Sequence, residues 1–271
     1  MFKQRILKMS SKEFEKLSKF VHTGFLIPLA LFIVITFLLQ SLDYSDYIDI
    51  IILLSILFLI FSFILLTSIN KALWLILHGE KDLKKYRAFL EAKDNTLKNW
   101  KVHKILRATS YLHLATLTFY EGNFKDSIIF LNKMIIKNFP KRIRKAMTIE
   151  KFFLLAFNYL LLGESVQFEI YYQNLLNIEG NKRVILLKNR CSDFLETFRD
   201  LLLLEKENHF FDDRPEEGNL SDYFKLYCSG LNAKLMGDSE SAKKYFGELA
   251  KESSDFYFVR EAKRQLAELT N

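Results

Sequence analysis

Hydrophobic and polar positions follow two different rules along this chain. From Val21 to Leu39 and from Ile48 to Leu66 the residues are apolar on nearly every side, with His22 at the entrance of the first run and Asp49 at the edge of the second the ionisable side chains in them. Their polar residues, such as Thr36, Ser55 and Ser62, can bond back to their own helix backbone. A helix rises about 1.5 Å per residue and needs about 20 apolar residues to cross a hydrocarbon core about 30 Å thick, so both runs read as membrane spans. From Trp100 onward apolar residues recur at spacings of three and four, without strand-like alternation, which predicts helices to the end of the chain. The expected fold class is all-α: an N-terminal transmembrane helical hairpin (residues 21–70) followed by an α-helical domain (residues 100–271).

The segments between these regions also read as helix. Residues 1–20 place Phe2, Ile6, Leu7, Met9, Phe14, Leu17 and Phe20 among lysines, a basic amphipathic flank with a fresh cap near Ser11. Residues 71–99 predict a basic juxtamembrane helix, with Lys71 and Trp74 placed as interfacial anchors. The first apolar run ends in Leu38-Leu39-Gln40 and leads straight into the second, which argues against a cleaved signal peptide.

Charge sets the expected orientation. Residues 1–20 carry six Lys or Arg against two Glu (+4), and the loop between the spans carries Asp43, Asp46 and Asp49 (−3). Lys71 to Arg107 carry ten Lys or Arg against four Asp or Glu (+6). These values already account for the +7 of the whole chain. The positive-inside rule then puts both termini in the cytoplasm of a two-span, multi-pass cell-membrane protein. The region from Ala108 onward is neutral, so the high isoelectric point gives no ground for nucleic-acid binding. The abundance of Lys, Ile and Phe is the composition expected of an AT-rich, bacterial genome.

Three windows of the helical domain repeat one another. The first runs Tyr111, Leu112, Ala115, Phe119, Gly122-Asn123, Ser127, Leu131; the second Phe152, Leu155-Ala156, Tyr159, Gly163, Tyr172, Leu175. The third runs Leu226, Gly230, Ala233, Leu235, Gly237-Asp238, Ala242, Phe246, Leu249. These windows resemble the tetratricopeptide repeat. The resemblance implies that Ala115, Ala156 and Gly230 let a second helix pack closely, that the glycine turns join each pair, and that Ser127 and Ala242 face the first helix. It also implies an α-helical solenoid with a partner-binding groove. The pattern departs at Thr118 and Ala233, where the family expects tyrosine, and at Phe168, a large residue at a small position that should push the second pair apart or shift its register. The helix from Asn181 to Asn208 belongs to no repeat.

In the repeat register the groove would be lined by Leu112, Thr116, Phe119, Phe153, Phe157, Leu160, Tyr227 and Leu231. That apolar, aromatic lining suits an amphipathic helix, either of a partner or the chain's own helix from Asn181. A basic patch, Lys141, Arg142, Arg144 and Lys145, follows Pro140 and could meet anionic lipid or an acidic partner. The five histidines and two cysteines (Cys191, Cys228) show no metal-ligand spacing, and no phosphate loop or nucleophile motif occurs. The acidic loop His209 to Glu217 lacks the glycine-bent spacing of a calcium site. No catalytic, cofactor or metal site is expected. The functional expectation is a membrane-anchored adaptor or scaffold that binds a protein partner and contacts membrane lipids. The alternative is an accessory subunit of an integral membrane complex such as a transporter or secretion machine.

Overall fold

The computed structural model describes residues 2–23, 34–35, 37–38, 48–98, 104–212 and 218–270. Among them every regular element is helical. The chain divides into two compact units, Met1–Lys101 and Val102–Asn271.

The first unit contains α1 (Phe2–Leu7), α2 (Ser11–Thr23), α3 (Ile48–His78) and α4 (Leu83–Lys98). A capping box at Ser10 starts α2, one residue before the expected cap. Glu13 accepts bonds from the Ser10 N–H at 2.8 Å and its hydroxyl at 2.9 Å, while the Ser10 oxygen accepts the Glu13 N–H. Those bonds hold the Glu13 carboxyl below its usual value. Ile6 and Phe14 are fully buried, and Phe14 stacks on Phe89 of α4 at 4.3 Å between ring centroids. Part of the apolar face of the N-terminal flank therefore belongs to a protein core. Asp82 caps α4 by accepting the Lys85 N–H at 2.8 Å.

Taken over the described residues alone, no helix is long and apolar enough to cross a membrane, so the two-span hairpin is not shown. The first expected span lies largely outside the described residues, as does the loop after it. The second forms the N-terminal part of α3, a continuous helix of 31 residues. The two ends of α3 differ in environment. Ile69, Ala72, Leu73 and Ile76 are fully buried, in the part of the helix against which α1, α2 and α4 pack. Leu53, Leu54, Leu57, Ile60 and Ile64 are about half exposed.

The second unit begins with α5 (Lys104–Tyr120) and α6 (Phe124–Lys133), then a short 3-10 turn, then α7 (Lys141–Leu161) and α8 (Ser165–Leu176). It continues through α9 (Lys182–Leu202), α10 (Ser221–Leu235), α11 (Ser239–Leu249) and α12 (Tyr257–Thr270). Three pairs, α5–α6, α7–α8 and α10–α11, are tight antiparallel hairpins with one turn design. Gly122, Gly163 and Gly237 all have φ between 74° and 81°, a left-handed conformation glycine adopts without a Cβ penalty. The residue after each glycine donates its N–H to the carbonyl five positions back: Asn123 to Thr118, Glu164 to Tyr159 and Asp238 to Ala233, at 2.8 to 2.9 Å. The next helix opens identically each time, with Ser127, Phe168 and Ala242 bonding to Asn123, Glu164 and Asp238. The register is thus the same in all three pairs, including the second. Phe168 does not shift it; its ring is buried and stacks on Tyr172 one turn along.

At the expected close approaches, Ala115 and Ala156 are fully buried, and a Cβ on Gly230 would lie 2.6 Å from the buried ring of Phe246. Gly230→Ala should therefore destabilise the full chain by about 1–3 kcal/mol, the range for overpacking a filled core. Urea unfolding followed by circular dichroism measures it.

Candidate functional site

The eight residues expected to line a groove lie in the interior of the second unit. Phe119, Phe157, Leu160, Tyr227 and Leu231 are buried; Leu112, Thr116 and Phe153 are half-buried. Leu112 packs against Ala108, Met134 and Phe139, and the Thr116 hydroxyl bonds back to the Leu112 carbonyl at 3.0 Å. The aromatic members share one cluster. The Phe157 ring lies 4.8 Å from Phe119, 5.3 Å from Phe194, 4.7 Å from Phe198, and 6.1 Å from both Phe224 and Phe258. Tyr227 sits 5.3 Å from Phe258 and 6.0 Å from Phe246.

The groove expected between the hairpins is occupied by the chain itself. Two helices outside the repeats supply the filling: α9 contributes Phe194 and Phe198, and α12 contributes Phe258. Phe194 and Phe198 stand one turn apart on one apolar face, so of the two occupants that the lining suits, it is the chain's own helix from Asn181 that lies there. On α12 the buried face is Phe258, Val259, Ala262 and Gln265, with Leu266 and Leu269 half-buried. Phe256, just ahead of α12, is buried as well.

α12 also reaches the first hairpin. Arg260 donates to the Glu121 carbonyl at 2.6 Å and to the Ser254 and Asp255 carbonyls at 2.9 and 3.0 Å. It thereby caps the C-terminus of α5 from a position 139 residues away in sequence. In an extended solenoid each repeat touches its neighbours only. Here the last helix also packs on the first pair, so the array of hairpins closes on itself.

Polar bonds tie the remaining joints. Asn158 donates to the Ser127 hydroxyl at 3.0 Å, and that hydroxyl donates to the Ala115 carbonyl at 2.9 Å, linking α7, α6 and α5. Asn232, at the equivalent position of the third hairpin, pairs with a backbone. Its Oδ1 accepts the Asn208 N–H at 3.0 Å and its Nδ2 donates to the Asn208 carbonyl at 2.6 Å. The Asn208 side chain in turn bonds Asp200 at 2.9 Å and accepts from Thr197 at 3.2 Å. The loop after α9 is therefore pinned along its first residues, with Phe211 buried behind it.

In the basic patch, Arg144 is committed to structure, donating to the carbonyls of Phe139 and Lys137 at 3.0 to 3.2 Å. Lys141, Arg142 and Lys145 are exposed, with Ile143 exposed among them. In the acidic loop His209 meets Asp212 at 2.7 Å in the open, and residues 213–217 lie outside the described residues. Among the described residues no group of three His, Cys, Asp or Glu is arranged to hold a metal ion. Burial pushes the Cys191 thiol up to about 12, with Glu150 adding to it, and raises the fully enclosed Cys228 thiol as well. Neither cysteine is an activated nucleophile.

Comparison with protein-family models, with curated proteins and with solved structures finds no match to this chain. The structure defines the second unit as an all-helical domain of repeated helical hairpins closed around an aromatic core.

Because Phe157 sits at the centre of that core, Phe157→Ala should cost about 3–5 kcal/mol. The double change Phe119→Glu with Phe157→Glu should unfold the domain, not open a groove. Near-ultraviolet circular dichroism and limited proteolysis of the full chain check both; a folded double variant would show that the cluster is dispensable.

Proposed function

We propose that this protein is a membrane-anchored adaptor, held by α3 and the apolar run before it, whose helical-hairpin domain receives a protein partner on its surface. The observation that carries the anchor is the exposure of Leu53, Leu54, Leu57, Ile60 and Ile64 along one long helix. Apolar surface arrayed this way needs a cover, and hydrocarbon is one that suits a run without acidic or basic side chains from Ile50 to Asn70. Lys71 and Trp74 follow at the next exposed positions, where an interfacial anchor belongs. The basic flanks favour a cytoplasmic face for both termini.

The partner surface follows from what the core leaves free. With the repeat groove filled, the exposed cluster of Lys141, Arg142 and Lys145 around Ile143 is the feature suited to recognition, and its chemistry fits an acidic segment carrying an apolar residue. Cationic side chains in the first turn of α7 oppose the helix dipole, so an acidic partner would relieve them.

The test has two arms. Carbonate washing of native membranes should leave the full chain in the pellet; release into the supernatant would sink the anchor reading. Crosslinking and pull-down should then lose one defined soluble partner when Lys141, Arg142 and Lys145 are changed to Glu, with Arg144 kept because it caps the preceding turn. If only integral membrane proteins are recovered, and equally from both forms, the chain is an accessory subunit of a membrane complex instead.

A further inference from the structure

Among the described residues of the first unit, one basic side chain is buried with no carboxylate paired to it. Lys93 of α4 is 3 % exposed, and its Nζ approaches Asn70 Oδ1 of α3 at 3.5 Å. Burial pushes this amine down to about 8. A cation kept in such a place is costly unless an anion completes the site.

The neighbouring geometry says where that anion would sit. A lysine ammonium has donors and no acceptor, so it faces the oxygen of the Asn70 carboxamide. The Asn70 Nδ2, with two N–H donors, is then the group left to point elsewhere, and Asn70 is solvent-exposed. Lys71 is the next residue and is exposed as well. It lies seven positions after Ile64, two helical turns along the same face as Ile60 and Ile64. Asn70 follows Ile64 by six residues, about 9 Å along the axis, comparable to the headgroup layer, which is about 5–8 Å deep on each side of the hydrocarbon.

We propose that Asn70, Lys71 and Lys93 form a seat for the phosphate of an anionic glycerophospholipid at the point where the exposed apolar face of α3 ends. The acyl chains would lie along Leu57, Ile60 and Ile64; the phosphate oxygens accept bonds from Asn70 Nδ2 and meet the Lys71 ammonium. Lys93 is a positioning residue, fixing the carboxamide with its oxygen inward and supplying positive charge from beneath. The proposal rests on the membrane anchor proposed above and adds a preference among lipids to it.

The experiment reconstitutes the full chain in vesicles of phosphatidylcholine and phosphatidylglycerol in equal parts, isolates it with its bound lipids, and reads the headgroup ratio. The wild-type chain should retain phosphatidylglycerol with about fivefold enrichment, the factor one basic group near an anionic surface supplies. Asn70→Asp should return the ratio to that of the bulk lipid. That variant gives Lys93 an ionic partner and so keeps the fold, which thermal unfolding verifies, while removing the donor and repelling phosphate. Lys93→Met should lose the preference too, while melting at a higher temperature in phosphatidylcholine alone. An enrichment unchanged in folded Asn70→Asp overturns the proposal. Release of the bound phosphatidylglycerol by excess inorganic phosphate would identify a free-phosphate site and overturn the lipid assignment. If the chain floats with vesicles and shows no enrichment, this site fails and the anchor stands. If it does not float at all, both fall.

Discussion

The second unit depends on one aromatic cluster in which Phe157 meets rings from four other helices. Phe119 comes from α5, Phe194 and Phe198 from α9, Phe224 from α10 and Phe258 from α12. Most of the neighbouring pairs are tilted or edge-on, as for Phe157 and Phe198 at 61° and Phe194 and Phe224 at 84°, the geometry that puts a positive ring edge against a negative face. Each such pair contributes about 0.5–1.5 kcal/mol beyond the burial of the ring, and the cluster joins segments far apart in sequence. A repeat array held together this way cannot stay open, because the surface it would offer a partner is already its core.

Polar side chains settle how the pieces lock. The three hairpin turns share one bonding pattern and differ at the position preceding the turn carbonyl: Leu117 in the first, Asn158 in the second, Asn232 in the third. Asn158 reaches the preceding hairpin through Ser127, and Asn232 clasps the backbone of Asn208 in the loop after α9. Both carboxamides make directional bonds in surroundings from which water is largely excluded, where a slipped register would leave them unpaired. Apolar packing drives the hairpins together, and these bonds select one arrangement among those the packing would tolerate.

In the first unit the governing constraint is the unequal cover along α3. In its C-terminal part Ile69, Ala72, Leu73, Ile76 and Leu77 are buried, whereas Leu53, Leu54, Leu57, Ile60 and Ile64, equally apolar, stay half exposed. The helix therefore passes along its length from an exposed apolar face to a protein core. Lys93 and Asn70 lie where the first gives way to the second, and this position gives the buried amine its interest.

Much of this was legible in the sequence because it is local. Helical spacing, the glycine turns at Gly122, Gly163 and Gly237, and the small residues at Ala115, Ala156 and Gly230 are all properties of short stretches. They are set by backbone geometry and by steric limits that one or two side chains decide. Which faces would meet was not legible. Phe119, Phe157, Tyr227 and Leu231 have the spacing of a groove lining, and nothing local separates a lining from a core. The packing of α12 through Phe258 and the use of Arg260 to cap α5 each require a partner distant in the chain, and the descent of α9 onto α7 selects one of the two occupants that the apolar lining suited. The sequence alone determined the helices, their turns and the apolar character of α3. Only the tertiary structure decided that the repeats close on themselves, because burial depends on which surfaces come together, and the gain from joining them is not recorded in any one segment.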